Sequence, residues 1–160
     1  MEDPNLEKAK KIIEENLYIT IATATKDGKP WISPVFFRYD KTYNLFWVSN
    51  KNALHSKLIR ENPQVAIVIF DSSVPEGQGN GVYFEANSHE LENESEIKHA
   101  MKILDKRVTK DEFRVKGIGQ VTTESVWRIY RAVPEKVWVS GSELINGHPV
   151  DTRVEVDLLK

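Results

Sequence analysis

The 160-residue chain has no cysteine. That excludes disulfides, thiol catalysis and every cysteine-ligated zinc or iron–sulfur site, and it fits a reducing cytoplasm. No apolar run approaches the roughly 18 residues a membrane span needs. The opening "MEDPNLEKAKK" has mixed charge and no apolar core, so it does not read as a signal peptide. Charge of one sign is also missing. The net charge of −2 gives no global pull towards nucleic acid or an anionic membrane, so any positive site must be local. The four histidines, at 55, 89, 99 and 148, include no pair at metal-ligand spacing. No nucleophile elbow frames a serine. The expectation is a cytoplasmic, soluble single domain over 1–160, with no metal, membrane or nucleic-acid partner.

What is present reads as one helix followed by strands. Asp3 and Pro4 form a helix start, and Leu6, Ala9, Ile12, Ile13 and Leu17 recur at helical spacing. This predicts a helix over 4–16. "YITIATAT" and "WISPVFFRY" are strand-like runs joined through Lys26-Asp27-Gly28-Lys29, where Asp-Gly predicts a type I′ hairpin. Pro34 places the second run at a sheet edge or a bulge. "NLFWVS" is a third strand, followed by a short helix to about Glu61 and the buried strand "QVAIVIFD".

Asp71 to Gly81 is a loop, "VYFEANSHEL" a strand, and Asn93 to Leu104 a surface helix. Residues 110–124 have no clear pattern. "VWRIYRAVP" and "KVWVSG" read as two more strands, and 141–160 as an extended or loosely ordered tail. Hairpin-length connections imply an antiparallel meander. The expected fold is mainly β with peripheral α, a small six-stranded barrel over about 18–140.

Chemistry concentrates in "VSNKNALHSKLIRENP", Val48 to Pro63. A helix N-terminus offers free N–H groups and a partial positive charge, which suits a phosphate. Ser49, Asn50, Asn52 and Ser56 add hydrogen bonds, and Lys51, Lys57 and a protonated His55 add charge. The plainer alternative is that Asn52 caps the helix and His55 lies on its surface. Arg38 ends an apolar strand, where it either reaches a phosphate or is a solvated strand end. Gly77, Gly79 and Gly81 lack the strand-before, helix-after context of a dinucleotide fingerprint and read as a flexible loop. Trp31, Trp47, Trp127 and Trp138 all fall in predicted strands, as core or as a platform for a planar ligand.

"LYITIATATKDGKPWISPVFFRYD", "LFWVS" and "HSKLIRENPQVAIVIFD" together resemble the pyridoxamine 5′-phosphate oxidase-like family of FMN-binding split barrels, with a further match at "YRAVPEKVWVSG". The resemblance implies an antiparallel split β-barrel and a homodimer with FMN at the interface. It also implies two-electron redox chemistry on a small molecule, with a donor such as NAD(P)H. Carried across, the flavin-facing strand is Ser33 to Arg38, including Pro34 and Val35. Val48 and Ser49 are the contact pair ending the third strand. Asn50, Lys51, His55 and Ser56 surround the phosphate, Gln78 stands for the glutamine before the next strand, and Trp138 and Arg153 for the late tryptophan and arginine.

Departures are specific. The usual basic pair is Leu54-His55 here, Ser33 replaces an arginine, and the Arg-x-His substrate motif is absent, which argues against pyridoxamine phosphate oxidation itself. A deazaflavin- or haem-binding relative, or a sensor module without turnover, are the alternatives on the same fold.

Overall fold

The computed structural model describes residues 3–160. Helix α1 (Pro4–Glu15) opens as expected: Asp3 is the N-cap, its carboxylate accepting from the Asn5 N–H at 2.9 Å. Its apolar stripe, Leu6, Ala9 and Ile13, is buried against the sheet. Strands β1 (Tyr18–Ala24), β2 (Pro30–Phe36), β3 (Arg38–Tyr39) and β4 (Leu45–Asn50) follow, then α2 (Leu54–Glu61), β5 (Gln64–Phe70) and β6 (Gly81–Glu90). Helix α3 (Glu94–Asp105) is capped by Asn93, whose side chain accepts from the Ser95 and Glu96 N–H groups. Two single 3-10 turns, Asp111–Phe113 and Ile118–Gln120, fill the segment without a sequence pattern. Strands β7 (Trp127–Ile145) and β8 (His148–Glu155) end the fold.

All eight strands form one antiparallel sheet in the order β2-β1-β5-β6-β7-β4-β3, with β8 on the free side of β7. The two ends of this path, β2 and the β3–β4 pair, are joined by chain but not by ladder hydrogen bonds, which leaves the barrel split. Pro34 lies on edge strand β2, where its missing N–H costs no ladder bond. The interior is filled by Ile19, Ile21, Phe37, Trp47, Ile67, Phe84, Val139 and their neighbours. A second apolar layer, Phe46, Ile97, Ile103, Leu104 and Ile129, packs α3 on the outside of β4 and β7. Among the described residues no helix is long and apolar enough to cross a membrane.

Three expectations need correction. The six-stranded count is low, because β3 and β8 are strands; residues 141–155 are extended, as one of the two alternatives had it, but paired, as the end of β7 and its partner β8. The two strands read as "VWRIYRAVP" and "KVWVSG" are one 19-residue strand. Pro134 interrupts the pattern between them, and the β6–β7 register slips beside it, between Glu85 and Ala86, so the ladder absorbs the proline as a bulge. The Asp27-Gly28 turn is not type I′ either. Only Gly28 takes a positive φ, 88°, at the end of a turn closed by the Gly28 N–H to Thr25 carbonyl bond. The two-residue left-handed turn is Asn146-Gly147, φ 51° and 81°, joining β7 to β8.

Candidate functional site

Helix α2 sits at one end of the split, in contact with β1, β2 and β6. Its first turn is open. The N-cap is Ala53, whose methyl side chain accepts no hydrogen bond, so the first N–H groups of the helix have no side-chain partner. Asn52 does not cap it. Its own N–H donates to Asn50 Oδ1 at 2.9 Å, and Asn50 thereby shapes the turn leading into the helix. His55 Nε2 lies 2.9 Å from Ser49 Oγ, tying the helix start to the end of β4. Burial pushes the His55 pKa below its ordinary value of 6.5. Trp127, half-exposed, pairs with Asn50 at the end of β4, Trp31 is half-exposed at the start of β2, and Leu54 is 46% exposed on the first turn itself.

Other predicted residues divide by face. Val35 points into the barrel, and Pro34 points outward. Ser33 is half-buried, with its hydroxyl accepting from the Trp31 indole N–H at 3.1 Å. Val48 packs against the layer under α3. Lys51 is held through its backbone: its N–H donates to the Val126 carbonyl at 2.8 Å and its carbonyl accepts from Arg60 at 2.7 Å. Ser56 is fully buried with its hydroxyl unpartnered, beneath the helix rather than on the rim.

Arg38 is not the solvated strand end offered as its plainer reading. It pairs directly with Phe46, so it shares the face that α3 covers, whereas Ser49 follows Leu45 and Trp47 on the opposite face. Only 2% of it is exposed. Its guanidinium lies 4.0 Å over the Phe36 ring, donates to the Phe37 carbonyl, and leaves Nε and one terminal nitrogen unpartnered. Desolvation, with Arg107 nearby, lowers its pKa to about 10.

Gln78 and Trp138 stand apart from α2. Gln78 is in the exposed loop 71–80, at the far end of β5 from the α2 connection. Trp138 pairs with Tyr83, ten residues along β7 from Arg128, the partner of Ser49. At about 3.3 Å per residue that is roughly 30 Å of strand. Arg153 joins this distant group, with its guanidinium 4.0 Å over the Tyr83 ring.

Sequence reasoning missed the network behind α2. Glu90, at the end of β6, accepts from Arg60 at 3.2 Å and from the Tyr130 hydroxyl at 3.1 Å, and pairs with Arg128 at 3.0 Å. Arg128 in turn donates to the Thr123, Ser125 and Trp127 carbonyls. Arg60 and Glu90 are 30 positions apart, and no local pattern brings them together.

The comparisons agree on the architecture. No curated protein matches the sequence. Among solved structures, the haem-storage protein HutZ from Vibrio cholerae is 21% identical with a TM-score of 0.65, covering 81% of this chain and 90% of that one. A Listeria innocua protein described as a candidate pyridoxamine 5′-phosphate oxidase is 17% identical, TM-score 0.61, over 84% of this chain and 96% of its own. An FAD-binding protein from Mesorhizobium loti is 20% identical, TM-score 0.60, over 83% and 91%. These likenesses establish the fold, a mainly β antiparallel split barrel with three helices. The model of the family described as pyridoxamine 5′-phosphate oxidase matches residues 6–136, and the chain belongs to that family.

Proposed function

We propose that this chain binds FMN at the start of α2 and acts, as a homodimer, in flavin-dependent redox chemistry on a small molecule, with an electron donor such as NAD(P)H. The observation that carries the reading is the uncapped N-terminus of α2, flanked by the Ser49–His55 pair and lysines 51 and 57 and bordered by Leu54 and by Trp127 opposite Asn50. Free N–H groups and a helix dipole suit the phosphate. The apolar rim suits the ring system. FMN would supply hydride and electron transfer, while the protein grips and orients it.

The dimer rests on the resemblance and on one surface feature. Gln78 and Trp138, which the resemblance assigns to the site, lie far along the sheet from α2 of their own chain and would join it only from a second copy. The outward face of β2, β1 and β5 also carries Ile32, 64% exposed, with Pro34, Ala22, Ala66 and Phe70 and no charge. An uncharged, partly apolar face of this kind fits sheet-on-sheet contact with its twin.

A haem-binding relative on the same fold is the alternative, because one feature counts against the phosphate. The fixed cations expected at the phosphate are Leu54 and a buried-side imidazole, and Arg38 is turned to the other face. The absorbance spectrum of the isolated protein decides between the two. A band near ~450 nm supports flavin and an intense Soret band near ~400 nm supports haem. No chromophore, together with no FMN uptake by the apoprotein, overturns the proposal. Oxidation of NAD(P)H by the FMN-loaded protein separates an enzyme from a binding module.

His55 gives the proposal a pH signature. Its folded pKa is lowered by burial, so the unfolded chain takes up the proton first. The stability contributed by neutral His55 is present above 6.5 and is lost as pH falls from 6.5 through the lowered value. His89, lowered by burial and Arg131, acts in the same direction. A bound phosphate reverses the sign at His55, because the anion favours the imidazolium. FMN affinity should therefore tighten as pH falls from 8 towards 6.5, above the range in which the phosphate itself protonates, near ~6. His55→Gln should flatten that profile. A flat wild-type titration, followed by flavin fluorescence, would separate His55 from the phosphate.

A further inference from the structure

Charge is unevenly spread along the chain. The stretch from Lys98 to Lys116 holds seven basic and three acidic side chains, so it carries +4 in a chain whose net charge is −2. Two of the three acids are already paired, Asp105 with Arg114 and Asp111 with Arg114 and Lys116. Lys98 is paired with Glu94. Lys102, Lys106 and Lys110 are exposed and make no ion pair among the described residues. Lys98, Lys102 and Lys106 recur every four positions, so they form a column on the solvent side of α3, whose other side buries Ile97, Ala100 and Leu104. Beyond the helix the chain folds back. Arg114 donates to the Asp105 and Val108 carbonyls, and the Phe113 N–H donates to the Lys110 carbonyl at 3.1 Å. These bonds hold Phe113 at the C-terminal end of α3, where Lys106 and Lys110 lie. It is 68% exposed, more than any other aromatic side chain among the described residues.

We propose that this face, the solvent side of α3 with the turn at Phe113, docks on an anionic phospholipid membrane, where the chain rests peripherally with the Phe113 ring at the headgroup boundary. The proposal does not depend on flavin. Three features choose this occupant. Charge is complementary: each free lysine close to an acidic leaflet strengthens binding about fivefold, and the rest of the chain, at −6, is repelled, so the protein approaches with this face first. An exposed phenylalanine among lysines has apolar area to bury at the lipid boundary. The arginines that would fork a nucleic-acid phosphate are occupied, Arg107 on the Glu14 and Asn16 carbonyls and Arg114 on Asp105 and Asp111. What is left is lysine, a point charge suited to a diffuse layer of headgroups, and a single ring, which is no platform for successive bases. The net charge of −2 concealed this face by averaging it with its opposite.

Sedimentation of the whole chain with lipid vesicles tests the surface. Vesicles of phosphatidylcholine with about 30% phosphatidylserine should carry the protein down at about 0.1 M salt and release it at about 0.5 M, because salt screens the attraction. Vesicles of phosphatidylcholine alone should not carry it down. The triple variant Lys102→Gln, Lys106→Gln, Lys110→Gln should bind the anionic vesicles at least about tenfold more weakly. Removing the same charge from exposed turns elsewhere, with Lys26→Gln, Lys29→Gln, Lys41→Gln, should weaken binding by less than about threefold. Phe113→Ser should weaken it severalfold with an unchanged Tm, since the position is exposed. Equal losses in the two lysine triples would mean that net charge governs binding, and overturn the placement. Full binding by Phe113→Ser overturns the role of the ring. No sedimentation with the anionic vesicles overturns the proposal. So does release from them by stoichiometric oligouridylate or polyglutamate, which would assign the face to nucleic acid or to an acidic protein partner.

Discussion

Trp47→Ala should destabilise the protein by about 3–5 kcal/mol, the cost of a large aromatic lost from a closed core. Trp47 is fully buried on β4 and stacks on Tyr130 with ring centroids 5.7 Å apart and planes 15° from parallel. It stands where the two ends of the sheet approach, and a cavity there has β-strands on several sides and little freedom to collapse. For a chain of this length the loss corresponds to a fall in Tm of roughly 10 °C or more. Trp47→Phe should behave differently. The Trp47 indole N–H is buried without a partner, and an orphan donor of that kind costs about 1–3 kcal/mol. Phenylalanine removes that donor while filling most of the space, so its net cost should stay below about 1.5 kcal/mol. Urea unfolding of the two variants measures both. Equal losses would mean that the N–H is satisfied in solution and that the argument from the orphan donor is wrong.

Trp47 also marks what a sequence makes legible. Its strand follows from a continuous apolar run, which left core and ligand platform open for the indole; α1 follows from its Asp-Pro start and apolar spacing, and the edge position of β2 from Pro34. These features depend on residues a few positions apart. The β7–β8 ribbon was hidden for a different reason. Its strands are polar and exposed on most positions, so neither alternation nor an apolar run marks them, although Asn146-Gly147 was a turn signal in plain view. The length of β7 was hidden by Pro134, which sequence reasoning treats as a strand end and the ladder accommodates by a bulge.

At the site, the order of Ser49, Asn50, Lys51 and His55 placed them at a strand-to-helix junction, and that junction exists. What local spacing did not convey was facing. Arg38 and Ser49 are both near strand ends, yet the β3–β4 pairing puts them on opposite sides of the sheet. Strand parity gives the face of each residue within its own strand, and only the register between strands relates one face to the other.

Register also creates the feature with the second-largest expected effect. Glu90 is the carboxylate that Arg60 and Arg128 share among the described residues and it also accepts from Tyr130, with 17% of its side chain exposed against 12% for Arg128. Glu90→Gln should cost about 2–3 kcal/mol, because it leaves the Arg128 guanidinium partly buried without its counter-charge. The Arg60 share is smaller, since 43% of that side chain is exposed and water screens it. Loss of the pair frees Arg60 from one of its anchors, and Arg60 is what grips the Lys51 carbonyl ahead of α2. The turn that presents the open helix end should loosen with it, and FMN affinity should fall although Glu90 is not among the residues proposed to meet the ligand. Replacing both partners tests whether charge is the cause. In Glu90→Leu, Arg128→Met no buried charge is left over, so much of the stability should return. If the double variant is as unstable as the single one, the hydrogen bonds from Arg128 to the Thr123, Ser125 and Trp127 carbonyls, rather than its pairing with Glu90, hold this end of the barrel together.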